Sequence, residues 1–153
     1  MRQTIRFFVV AVLGTMLVLP VGAGDKTKQK LLPPEKYEAA VANLLVGLQS
    51  DNQGLQRSCA FMLGVLEADE AVIPLMRLLR ECDEACIRCT AALALCRIGD
   101  ARGTYAAKQA AKCDDCPITR VRIAWYYNQY VKEGTFVFRE VPGTEGGLEV
   151  SLK

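Results

Sequence analysis

The chain repeats one short pattern three times, at intervals of about 31 residues. Asp51-Asn52-Gln53-Gly54-Leu55-Gln56-Arg57-Ser58-Cys59-Ala60 returns as Cys82-Asp83-Glu84-Ala85-Cys86-Ile87-Arg88-Cys89-Thr90-Ala91, and again as Cys113-Asp114-Asp115-Cys116-Pro117-Ile118-Thr119-Arg120-Val121-Arg122. Each copy is a polar turn followed by an amphipathic stretch with small or apolar residues. One helix pair cannot bury its apolar face alone, so a repeat of this length is met by stacking pair upon pair. The expected fold is all-α, a short α-solenoid of about three stacked antiparallel helix pairs over residues 35–134. No reaction is declared by the pattern.

Periodicity and punctuation place the helices. Apolar residues at Tyr37, Val41, Leu44, Leu45 and Leu48 share one face and predict a helix over about Glu35–Leu48. Ser50 and Asp51 are natural caps for a second helix over about Asn52–Leu66, with Gln53 placed for a capping box. Its expected buried stripe is Leu55, Cys59, Met62, Leu63 and Leu66. Asp69 caps a third helix, about Glu70–Leu79, whose Pro74 sits near the start, where the first N–H groups lack partners anyway. The fourth helix runs from about Asp83 to Ile98 and stops at Gly99. The last pair is Ala101–Lys112 and Asp115–Glu133, closed by Gly134. Trp125, Tyr126, Tyr127 and Tyr130 on the final helix suit a lid over the open end of a stack.

Residues 135–153 change character. Thr135–Val141 is rich in strand formers, Pro142–Gly147 is a turn cluster, and Leu148–Leu152 alternates again. A lone hairpin is marginal in water. The segment therefore reads as a loosely attached tail, with a hairpin packed on the last helix as the alternative.

At the other end, Arg2 and Arg6 precede an apolar run over Phe7–Leu19, then Pro20 and Val21-Gly22-Ala23. This is the pattern of a secretory signal peptide over residues 1–23, cleaved after Ala23. The run is short of the roughly 20 residues a membrane span prefers. Export to the periplasm or the exterior is expected, with no stable membrane insertion after cleavage. Residues 24–34 are polar, lysine-rich and end in Pro33-Pro34, as a linker would.

Without the two leader arginines, 17 basic residues face 17 acidic ones. A nucleic-acid binder needs a clustered positive surface, so that class is set aside. The chain has no histidine. Ser-His and Cys-His nucleophilic pairs and every His-containing metal site are thereby excluded. No glycine-rich phosphate loop appears. An enzyme is not expected, and neither is a cofactor.

The segments Glu70-Ala71-Val72-Ile73-Pro74-Leu75-Met76-Arg77-Leu78-Leu79 and Ile87-Arg88-Cys89-Thr90-Ala91-Ala92-Leu93-Ala94-Leu95-Cys96-Arg97-Ile98-Gly99-Asp100 resemble the first and second helices of HEAT-type repeats. The likeness spans about residues 37–133 and is closest to the short bacterial variety. Thr119 departs from it, standing where the 31-residue register places arginine. The resemblance implies a scaffold that binds another protein along a curved helical surface. It also implies a structural role for Arg57 and Arg88, each bridging to an acidic turn residue of a neighbouring repeat, with Arg88 reaching Asp51.

Seven cysteines are the chemical oddity of the chain. Cys82, Cys86, Cys113 and Cys116 are candidates for disulfides, which an exported protein can form. The same four, as Cys82-x3-Cys86 and Cys113-x2-Cys116, are the alternative ligand set for a structural metal. Cys59, Cys89 and Cys96 fall where a helical repeat places small apolar core residues. For Cys113-Asp114-Asp115-Cys116 as a redox pair, a following helix N-terminus lowers a thiol pKa, whereas the two aspartates oppose a thiolate. Metal-binding or thiol-redox chemistry is thus the alternative to a scaffold.

Overall fold

The computed structural model describes residues 33–141 and 147–153. The expected leader at 1–23, nearly all of the expected 24–34 linker and most of the turn cluster after Val141 lie outside the described residues. Among the described residues there are six α-helices and one two-stranded antiparallel sheet. The helices are α1 (Pro34–Gly47), α2 (Gln53–Val65), α3 (Val72–Glu81), α4 (Ala85–Ile98), α5 (Ala101–Cys113) and α6 (Pro117–Tyr130). The strands are β1 (Phe136–Glu140) and β2 (Leu148–Leu152). Helix α1 packs on α2, α3 on α4, and α5 on α6. Across the pairs, α2 packs on α4, α4 on α6, and α3 on α5.

Local chemistry explains the boundaries. Pro34 takes the first helical position of α1, where its missing N–H costs nothing. Asn52, not Ser50 or Asp51, caps α2: its Oδ1 accepts from Leu55 N at 3.0 Å, while Ser50 Oγ accepts from Asn52 N at 3.1 Å. Asn52 is the residue with extended backbone, so the helix begins one residue beyond it. Asp69 opens a 3-10 turn, Asp69–Ala71, that feeds α3. Gly99 ends α4 at φ 77°, a left-handed conformation that glycine adopts without steric penalty. Asp100 caps α5 through Oδ1, which accepts from Arg102 N and Gly103 N at 2.9 and 3.3 Å.

The core runs through all three pairs. Leu63, Leu75, Leu95 and Ile123 are fully buried, and each such side chain stabilises the fold by about 1.5–3 kcal/mol. Tyr37, Val41 and Leu48 of the first helix stripe are buried as expected. In α2 the expected stripe is corrected. Leu55 and Met62 are exposed, and the buried face is Cys59, Ala60, Leu63 and Gly64. That face is narrow because α2 approaches α4 closely: a Cβ on Gly64 would lie 2.6 Å from Ala94 Cα and 2.8 Å from its Cβ.

The period of the second helices is also corrected. Gln53, Ala85 and Pro117, which begin α2, α4 and α6, are 32 residues apart. In that register the buried residues align: Cys59 with Ala91 and Ile123, Ala60 with Ala92 and Ala124, Leu63 with Leu95 and Tyr127. Side-chain bonds align too. Ser58 Oγ donates to Gly54 O and Thr90 Oγ1 to Cys86 O, at 2.8 and 2.9 Å. Thr119 then matches Ile87, and both are buried. Arginine is not missing from the third copy; Arg120 holds its place.

The C-terminal segment is a docked hairpin rather than a loose tail. Phe136 pairs with Leu152 and Glu140 with Leu148 at its two ends. Asn128 of α6 fixes it by two bonds to one residue: Nδ2 donates to Phe136 O at 2.9 Å and Oδ1 accepts from Phe136 N at 3.0 Å. The buried Phe136 ring meets Tyr127 edge-on at 5.5 Å between centroids. These contacts supply the packing that a free hairpin lacks.

Replacing Gly64 with alanine should drive the new methyl into Ala94. The expected loss is about 1–3 kcal/mol, read as a lower urea midpoint at unchanged slope.

Candidate functional site

The turn before α4 and the turn before α6 face each other across a groove of about 760 Å³. The first turn carries Cys82 and Asp83, the second carries Asp114, Asp115 and Cys116, and Cys113 ends α5 beside it. Arg88, in the first turn of α4, joins them. Its Nη1 donates to Cys82 O at 2.9 Å and Asp83 O at 2.7 Å, which closes its own turn. Its Nε and Nη2 donate to Asp114 Oδ2 and Oδ1 at 2.7 and 2.9 Å, a bidentate pair with the next turn. The two side chains are only 13% and 4% exposed. Asp114 Oδ1 also accepts from Cys116 N at 2.9 Å, and Arg120 Nη1 donates to Asp114 O at 2.5 Å.

Arg88 is therefore an inter-repeat clamp, but toward the following turn. The expected pairing with Asp51 is not formed. Asp51 is exposed, and so is Arg57, which makes no hydrogen bond or ion pair among the described residues. The 32-residue register explains it. Gln56, not Arg57, holds the place of Arg88, and its Nε2 donates to Leu48 O at 3.0 Å in the turn before it.

All seven cysteines are free thiols in the structure, so the expected disulfide among Cys82, Cys86, Cys113 and Cys116 is not formed. Three of those four, Cys82, Cys113 and Cys116, line the groove, and Cys86 is exposed on α4 outside it. Among the described residues no group of three or more Cys, Asp or Glu side chains is disposed to hold a metal. Cys59, Cys89 and Cys96 are buried, as core positions should be. Burial pushes all three thiols up, Cys96 to about 12.

Cys116 behaves in the opposite way. It is the cap residue of α6. The Thr119 hydroxyl, then the N–H groups of Thr119 and Ile118, hold its thiol below the ordinary value. Asp114 opposes this only weakly. Its carboxylate is committed to Arg88, which weakens the expected antagonism of the aspartates without removing it. For Asp114 itself, burial acts upward, but the Arg88 and Cys116 hydrogen bonds outweigh it and hold the carboxyl below its usual range. The Arg88 guanidinium is correspondingly held more firmly charged by its hydrogen bond to Asp114.

A second feature lies on the second helices. The Arg97 guanidinium of α4 sits 5.2 Å from the ring centroid of Phe61 on α2 and 5.4 Å from that of Tyr130 on α6. Its Nη2 also donates to Tyr130 Oη at 3.4 Å. Phe61 and Tyr130 are both more than two-fifths exposed. One aromatic–cation–aromatic row thus crosses α2, α4 and α6 at the surface. Sequence periodicity gave no sign of it, because Tyr130 read as a lid residue and Phe61 fell outside the expected stripe of α2. The only available signal was an arginine amid the apolar run of α4.

No protein-family model matches the chain, and no curated protein matches it. No helix among the described residues is long and apolar enough to cross a membrane.

Two outcomes follow from the clamp and the buried thiols. Removing one member of the pair, in Asp114→Asn or Arg88→Met, should cost about 3 kcal/mol, because the other is left buried and uncompensated. The double variant should lose less than either single change. Asp114 is depressed in the fold, so its stabilisation is present above its unfolded value of about 3.9 and is lost as pH falls through the lower folded value. Urea unfolding from pH 7 to pH 3 should show that acid loss, and Asp114→Asn should flatten it. In alkylation at pH 8 with iodoacetamide, Cys59, Cys89 and Cys96 should stay unmodified until the chain is unfolded, as peptide mass mapping would report.

Proposed function

We propose that the chain is a non-enzymatic, exported scaffold of HEAT-like helical repeats that binds another protein through the face formed by its second helices. On this reading α1–α2, α3–α4 and α5–α6 are three stacked pairs of a short α-solenoid, and the docked hairpin covers its end. The observation that carries the proposal is the Phe61–Arg97–Tyr130 row. Exposed aromatic and arginine side chains are the groups that dominate protein–protein contacts. Here they come from three successive repeats and are held in one row by cation–π contact, so little side-chain freedom remains to be lost on binding.

Export is supported by the leader-like residues 1–23, and the even balance of charge speaks for a protein partner over nucleic acid. The Arg88 clamp has a structural part in this scheme. It fixes the angle between neighbouring pairs and so the shape of the shared face.

The test is site-specific photo-cross-linking of the full chain in its native host. A benzophenone amino acid at Phe61 should yield a discrete heteromeric adduct in the exported fraction. The same probe at Tyr105, exposed on α5, should yield none. Arg97→Ala should weaken the Phe61 adduct, with affinity falling roughly tenfold for about 1.4 kcal/mol. Equal labelling from both positions, or none from Phe61, would refute the assignment of the face.

A further inference from the structure

The groove between the two turns has a second property that partner binding does not use. It gathers three free thiols, Cys82, Cys113 and Cys116, around one fixed guanidinium. Both Cys82 and Cys116 are close enough to Arg88 to interact with its charge. The turn bearing Cys116 is rigid, being held by Asp114 to Arg88, by Asp114 to Cys116 N, and by Arg120 to Asp114 O. Cys116 itself is the N-cap residue of α6, at the positive end of that helix and one turn from the buried Thr119. This is the surrounding in which a thiolate is stabilised without a histidine.

Charges reach the groove from α3, α4, α6 and the turns, whereas α5 lines it with Ala106, Gln109, Ala110 and Cys113. Arg80 and Glu81 of α3 pair with each other at 3.5 Å, and Arg88 of α4 pairs with Asp114. Arg120 of α6 faces Asp114, while Asp83 and Asp115 stand exposed at the rim, where solvent and salt screen them. The Arg88 guanidinium on the groove wall is therefore fixed, and Asp83 and Asp115 stay at the edge.

We propose that this groove is a thiol–disulfide exchange site, with Cys116 as the attacking thiol and low-molecular-weight disulfides as its substrates. Cys116 is half-buried at a groove wall, so a small disulfide reaches it more readily than one held in a folded protein. The Cys116 thiol gives its proton to solvent. The thiolate attacks one sulfur of the disulfide, the S–S bond breaks, a Cys116–S–S–R bond forms, and the other half leaves as a thiolate that takes up a proton. The small disulfide is the oxidant. If Cys113 or Cys82 then attacks the Cys116 sulfur, the second half is released as a thiol and an internal disulfide remains. Thr119 is a positioning residue: its buried hydroxyl lies beside both the Cys116 and Cys89 thiols and favours the thiolate form of either. The proposal is independent of the partner-binding face.

The unmodified chain contains its own control. Exposure alone ranks Cys86 and Cys113 ahead of Cys116, whereas the proposal puts Cys116 first. The reduced protein would be treated at pH 7 with the neutral probe 2-hydroxyethyl disulfide, and with limiting iodoacetamide in parallel, and each cysteine followed by peptide mapping. Cys116 should react about fivefold faster than Cys86 or more, and the first disulfide product, mixed or internal, should contain Cys116. Thr119→Val should slow Cys116 and move its pH–rate midpoint upward, with the Cys86 rate unchanged, and Thr119→Ser should restore both. Reaction of Cys86 or Cys113 ahead of Cys116, or an unmoved midpoint in Thr119→Val, would overturn the proposal.

Discussion

Helix α4 touches α2, α3, α5 and α6, and it can do so only because the side chains it turns to them are small. Ala91, Ala92, Ala94 and Cys96 are all buried, and at Ala94 the approach of α2 is closed by a glycine, Gly64. Gly103 of α5 repeats the device, since a Cβ there would come within 2.9 Å of a Leu95 methyl. A helix surrounded on all sides loses its amphipathic character, which is why α4 shows an almost unbroken run of small and apolar residues. Cysteine belongs in that run. It is slightly larger than alanine, apolar when protonated, and held protonated by the same burial that places it there. The cysteine count of the chain is therefore two populations. One fills the helix interface, and the other sits on the turns and the helix ends beside them.

The turns pose the opposite problem. Each ends one helix and begins another, so its carbonyls and N–H groups need partners that the helices cannot give. Arg88 meets two carbonyls of its own turn and the carboxylate of the next with one planar group. Lysine could not reproduce this, because it lacks the forked geometry. The clamp also sets the electrostatics of the groove. Asp114 would oppose a thiolate two residues away if it were free, and committed to Arg88 it hardly does. A contact made to hold two repeats together thus decides what the neighbouring thiol can become.

Much of the helical order was legible, since apolar spacing, prolines and glycines marked six helices and the stop at Gly99, although α6 ends at Tyr130, short of the expected stop at Gly134. The register was less so. Matching Cys82-Asp83 to Cys113-Asp114 by residue type gives 31, yet both turns hold three residues, 82–84 and 114–116, so at the true spacing of 32 Cys82 stands opposite Asp114 and Asp83 opposite Asp115. Aligning on the polar turn therefore displaced every second-helix position by one. That displacement made Thr119 look like a lost arginine and Arg57 like a clamp. Buried small residues, Ala60 with Ala92 and Ala124, carry the true register, but alanine is too common along the chain to announce it. The direction of Arg88 was hidden for another reason. A repeat gives the spacing between units and is silent on whether a long side chain reaches back or forward. The docking of the hairpin rests on the two bonds from Asn128 to Phe136, and a lone asparagine late in a helix carries no sequence signal for such a role.

The two proposed surfaces belong to different layers of the same construction. The Phe61–Arg97–Tyr130 row depends on helix-to-helix registry, since three helices must present their side chains at one level. The groove depends on the turn-to-turn clamp. Both are governed by how one pair is set against the next, so a change in that angle would be felt at both. Arg88 lies at the start of α4 and Arg97 near its end, and between them runs the tightly packed alanine-rich segment that resists bending or sliding. Oxidation at Cys116 would add bulk beside the clamp without touching the core. Its effect on the far row would have to pass through α4 or α6, and the close packing of α4 against four helices opposes its rotation.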